Sequence, residues 1–70
     1  MMELIVAYTY GINADNCSKC GGRPYGQTVV DGETNTEMYR VVCDCGNHTA
    51  KKFTQRKAIR FWNIQEGNRK

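Results

Sequence analysis

Residues alternate along "ELIVAYTY" (3–10) with a period of two, placing Leu4, Val6, Tyr8 and Tyr10 on one side and Ile5, Ala7 and Thr9 on the other. Both sets are β-prone, so the stretch predicts a strand. "GINADN" breaks it. Two further β-rich runs, "GQTVV" (26–30) and "EMYRVVC" (37–43), flank the polar loop "DGETNT" and predict a β-hairpin. "HTAKKF" (48–53) reads as another short extended stretch.

The last periodic segment changes from two to 3.6. "TQRKAIRFWNIQEG" places Ala58, Phe61, Trp62 and Gln65 at helical spacing, with Ile59 flanking and Arg56, Lys57 and Arg60 on the other side. Thr54 suits the N-cap, and Phe53 and Ala58 occupy the two positions of a hydrophobic staple. Gly67 is a natural stop. The pattern divides one domain over 1–66 into an N-terminal strand (1–10), a cysteine-bearing hairpin region (17–52) and a helix (54–66), with a frayed tail over 67–70. Phe61 and Trp62 are expected to pack the helix against the sheet, and Asn63 to bond nearby backbone.

At 70 residues the chain holds one domain at most, and a core this small is marginal without a staple. The first residues lack a positive n-region and a cleavage site, and the apolar run Leu4–Tyr10 is too short to span a bilayer. The expectation is therefore a cytosolic chain with reduced thiols and no membrane contact. Net charge is +3, but residues 1–50 carry −3 and residues 51–70 carry +6. That asymmetry says more about partners than the total does, because four metal-bound thiolates would bring the whole protein near +1.

Four cysteines supply the candidate staple. Cys17-x-x-Cys20-Gly21 fits a zinc knuckle, with a disulfide or redox pair as the lesser alternatives: two intervening residues let both sulfurs reach one ion, and the glycine permits a tight turn. Cys43-x-Cys45-Gly46 is the second pair, tighter by one residue, with less room for backbone amides to bond the sulfurs. The 22 residues between Cys20 and Cys43 accommodate the hairpin. His48 lies three residues after Cys45, so two ligand sets stay open: Cys17, Cys20, Cys43 and Cys45, or a set in which His48 replaces one cysteine. One structural Zn²⁺ with four protein ligands leaves no open coordination position, so hydrolysis is not expected. A thiol redox enzyme would need a βαβ context that the pattern lacks. "GGRPYG" matches no phosphate-binding spacing and reads as a turn. The expected fold class is a small α+β zinc ribbon: a twisted antiparallel sheet, one structural zinc and a C-terminal amphipathic helix.

"CSKCGG", "YRVVC", "CDCG" and "TQRKAIRFWN" together resemble the Lar-like restriction alleviation family of bacteriophages and prophages, over about residues 17–63. The shorter second knuckle, Ser18-Lys19 in place of a Pro-aromatic pair, and the longer N-terminal strand depart from the family pattern. The resemblance implies a non-enzymatic phage accessory protein that works in the host cytoplasm. Its partner would be a host protein of restriction or another nucleic-acid-processing system. The alternative is a zinc ribbon that binds DNA or RNA directly through the basic C-terminal third. Under either reading the candidate contact residues are Lys51, Lys52, Arg56, Lys57 and Arg60, whose bland explanation is a solvated helix face. Tyr8, Tyr10, Tyr25 and Tyr39 could stack on bases or fill a small core. The strand at 4–10, if at an edge, could pair with a partner's strand or a copy of itself. Both a monomer and a small homo-oligomer are compatible with the sequence.

Overall fold

A computed structural model describes residues 3–68, which run β1 (Glu3–Thr9), β2 (Tyr25–Asp31), β3 (Thr36–Val42) and α1 (Gln55–Asn68). The three strands form one antiparallel sheet in the order β1-β2-β3, so the molecule is the expected α+β ribbon with a C-terminal helix. Among the described residues no helix is long and apolar enough to cross a membrane.

The β2–β3 hairpin turns as its composition dictates. Asp31 Oδ1 accepts from Glu33 N at 2.9 Å, and Asn35 N donates to Asp31 O at 2.7 Å with Asn35 at φ 56°. Asn is among the few non-glycine residues that tolerate this left-handed conformation. "HTAKKF" does not form a strand. It touches β3 through two isolated antiparallel bridges, Tyr39 to Lys52 and Val42 to His48.

β1 departs from simple alternation. Ile5 lies opposite Val29, yet Ala7 lies opposite Thr28, which leaves Val6 as the extra residue of a bulge. The bulge inverts the faces beyond it. Tyr8 sits opposite Gln27 and thus shares the face of Ile5, rather than that of Leu4 as strict alternation requires. Tyr25, two residues before Gln27, collects both neighbouring rings, with centroids 5.6 Å to Tyr8 and 5.3 Å to Tyr10. Met1 and Met2, counted in the expected strand, lie outside the described residues.

The core sits between β3, the loop before the first knuckle, and α1. It comprises Ile12, Ala14, Cys17, Val41, Cys43, Ala58 and Trp62, with Tyr39 and Ile59 packed against it. α1 starts where expected. Thr54 Oγ1 accepts from Lys57 N at 3.1 Å, and Thr54 O accepts from Ala58 N at 3.1 Å. Its end differs: the helix runs through Gly67 to Asn68, while the rest of the expected tail, 69–70, lies outside the described residues. Phe61 is also misplaced by the sequence reading. The buried stripe is Ala58, Trp62 and Glu66, spaced i, i+4, i+8, and Phe61 flanks it at 47% exposure beneath Lys52 Nζ.

Candidate metal centre and its surroundings

Each knuckle is a closed backbone turn. In the first, Cys17 N donates to Gly22 O at 2.9 Å and Gly21 N to Cys17 O at 2.8 Å. In the second, Cys43 N donates to Asn47 O at 2.8 Å and Gly46 N to Cys43 O at 2.9 Å. The second loop is one residue shorter and closes one residue earlier, so both cysteines still turn inward. Gly21 (φ 74°) and Gly46 (φ 99°) follow the outer cysteines in a conformation that L side chains rarely adopt. The hairpin β2–β3 delivers the second knuckle directly beside the first.

All four sulfurs converge. Cys17, Cys20, Cys43 and Cys45 place their Sγ atoms within 4.8 Å of one another. The closest approaches cross between knuckles: Cys17 to Cys45 at 3.5 Å and Cys20 to Cys43 at 3.3 Å. A disulfide requires sulfurs at ~2.05 Å. A tetrahedron of thiolates at ~2.3 Å from a central ion has edges of ~3.8 Å, so the cluster is sized for one metal ion. His48 stays outside it: its Nδ1 lies 3.0 Å from Gly46 O, and it is not among the grouped ligand atoms.

The donors around the sulfurs favour the thiolate form at Cys17 and not at Cys43 or Cys45. Burial pushes Cys17 up, but the N–H groups of Cys20 and Lys19 and the Asn47 amide outweigh it and hold this thiol down at about 6. Cys43 is pushed up to about 12 by burial and by the neighbouring thiols, despite a bond from Cys45 N–H. Backbone amides reach the second pair too, since Asn47 N–H bonds Cys45, so the short spacing does not starve it of donors. A four-thiol site of this kind, with Cys17 and Cys43 buried and Cys20 and Cys45 exposed, ionises far more readily around a cation than alone.

Glu66 is the residue that sequence reasoning missed. Its side chain is fully buried, and Oε1 accepts from Ser18 N at 2.8 Å, Ser18 Oγ at 3.0 Å and Asn47 Nδ2 at 2.8 Å. Asn47 Nδ2 also lies 3.5 Å from Cys17 Sγ. One carboxylate on α1 therefore ties both knuckles to the helix. Burial alone would raise its pKa, but these donors, with Gln65, hold it at about 2. The available signal was the i, i+4 step from Trp62: a carboxylate on the buried stripe must be hydrogen-bonded. Two further bonds clamp the helix to the lead-in loop. Trp62 Nε1 donates to Asp15 O at 2.7 Å, and Asn63 Oδ1 accepts from Asp15 N at 2.8 Å, as expected of Asn63.

The basic residues divide. Lys51, Lys52, Lys57 and Arg60 line one groove with Phe53, Phe61 and Ile64. Arg56 opens instead onto a second, more apolar groove beside Asn13, Ile59 and Ile64, which Arg60 shares. No family model, curated protein or solved structure matches the chain.

Proposed function

We propose that this protein is a non-enzymatic, zinc-stapled binding module, a phage accessory protein whose partner is a host protein of restriction or nucleic-acid processing. Zinc is the metal that four cysteines in two short knuckles suit best, and a four-thiolate shell is a closed one. Such an ion stabilises the fold and leaves the surface to provide function. The resemblance in "CSKCGG", "CDCG" and "TQRKAIRFWN" supports the phage setting.

The observation that carries the reading is β1. It occupies a sheet edge, yet Leu4, Ile5, Val6 and Tyr8 are each about half exposed and Tyr10 is 73% exposed. A strand apolar on both faces has the composition of a central strand, and among the described residues its outer backbone groups have no sheet partner. A partner's extended strand would complete the sheet there.

The test is affinity capture of the tagged, zinc-loaded chain in bacterial host lysate treated with nuclease. Its control is Val6→Lys, an exposed substitution that leaves the core intact. A defined protein retained by the wild type and released by Val6→Lys supports the reading. Capture that disappears with nuclease, or survives Val6→Lys, overturns it. So does light scattering that finds the free chain already paired through β1 with a second copy.

A further inference from the structure

The groove between α1 and the segment before it has a chemistry distinct from that of β1. Lys52, Phe53, Lys57, Arg60, Phe61 and Ile64 line it, with Lys51 at its end held by Glu3. Phe53 is 68% exposed, Phe61 47% and Ile64 51%; among the described residues the other exposed large apolar side chains belong to β1 and Tyr10. Lys52 Nζ stands 3.8 Å from the Phe61 ring centroid. Among the described residues, Lys52, Lys57 and Arg60 form no ion pair with a carboxylate. Three cations without a carboxylate partner among the described residues thus line a single trough about 520 Å³ in volume with two exposed aromatic rings, one of them, Phe61, carrying Lys52 over its face.

We infer that this groove binds single-stranded nucleic acid, with phosphates on Lys52, Lys57 and Arg60 and unpaired bases against Phe53 and Phe61. The cations call for a polyanion. The rings select among polyanions, because a free base offers a planar apolar face to stack, whereas duplex bases are already stacked and an acidic peptide has no such face. Lys52 fits the same scheme, since it covers one face of Phe61 and can meet the phosphate of a base stacked on Phe53. The inference goes beyond the protein-partner reading and uses a different surface.

The experiment is fluorescence anisotropy of a labelled oligothymidylate of about 16 nucleotides, titrated with the zinc-loaded full chain. Three phosphate contacts at a slope of ~0.7 each predict binding that weakens about 20-fold between about 50 and 200 mM salt. Phe53→Ala should weaken binding about 10-fold through lost stacking. Lys57→Glu with Arg60→Glu should abolish it, while Val6→Lys should leave it unchanged. Zinc content and Trp62 emission certify that the variants are folded. No binding at the lower salt, equal affinity for a duplex of the same length, displacement by polyglutamate as readily as by unlabelled strand, or indifference to Phe53→Ala would each overturn the inference. Loss of protein capture in Val6→Lys with oligonucleotide binding intact keeps the two readings separable.

Discussion

Replacing Glu66 is the sharpest perturbation the structure offers. Its carboxylate is fully buried and accepts from Ser18 N, Ser18 Oγ and Asn47 Nδ2. The magnitude can be reached by two routes. Folding lowers its pKa from 4.5 to about 2. At 1.36 kcal/mol per pH unit, folding favours the ionised over the protonated form by ~3 kcal/mol relative to the unfolded chain. Independently, removing one partner of a buried charged network costs ~3–5 kcal/mol, because the remaining donors lose water and acceptor together. A domain of this length has only ~4–10 kcal/mol in total. Glu66→Ala should therefore lose roughly half the stability, and Glu66→Gln, which keeps an acceptor oxygen but no charge, about 1–2 kcal/mol. The assay is urea unfolding at a fixed, buffered zinc concentration, followed by the emission of Trp62, the single and fully buried tryptophan. With a slope of ~1 kcal/mol/M, Glu66→Ala should move the midpoint down by ~3 M. A midpoint shift worth less than ~0.5 kcal/mol would refute the reasoning, since surface substitutions already produce that much.

Because folding depresses this pKa, the contribution is complete above about 4.5 and is lost as pH falls toward about 2, so the gap between wild type and Glu66→Gln should narrow across that window. Cysteine-to-serine substitution at Cys17, Cys20, Cys43 or Cys45 should reduce bound zinc from one ion to none and unfold the chain, as chelator should, read by elemental analysis and circular dichroism. His48→Ala should leave zinc stoichiometry and affinity unchanged by competition with a chromogenic chelator, because its ring lies outside the thiol cluster. Thr54→Ala should cost about 1 kcal/mol in the same urea assay through loss of the bond to Lys57 N.

Local chemistry made some features legible in the sequence and long-range contacts hid others. The hairpin was readable because Asp31 and Asn35 are turn residues whose bonds span only two to four positions. The Thr54 cap and the cysteine spacing are local in the same sense. The face of Tyr8 was not readable, because a bulge at Val6 is a property of pairing between two strands and leaves no mark on the alternation of one. Phe61 was misjudged because residues 58, 61, 62 and 65 all suit one broad helical face. Only the width of the sheet-facing contact decides that 58, 62 and 66 are covered. Glu66 carries no local sign of its burial beyond the i, i+4 step from Trp62. Its partners, Ser18 and Asn47, are 48 and 19 residues away.

These distances bear on how the parts depend on one another. The helix contributes two apolar side chains to the core, Ala58 and Trp62, with Ile59 packed alongside. Its remaining attachments are polar and converge on the knuckles and their lead-in loop, through Glu66, Asn63 and Trp62 Nε1. A metal ion that fixes Cys17 and Cys43 therefore also fixes Ser18 and Asn47, the donors that Glu66 requires. Orientation of α1, and with it the groove of Lys57, Arg60 and Phe61, would thereby be coupled to occupancy of the thiol cluster. Among the described residues β1 is tied to the rest only by its pairing with β2 and the Glu3–Lys51 ion pair, and it contributes no residue to the core cluster. A Glu66→Ala protein held folded by excess zinc should accordingly show the groove loosened, read as faster amide hydrogen exchange in α1, while the cluster stays filled.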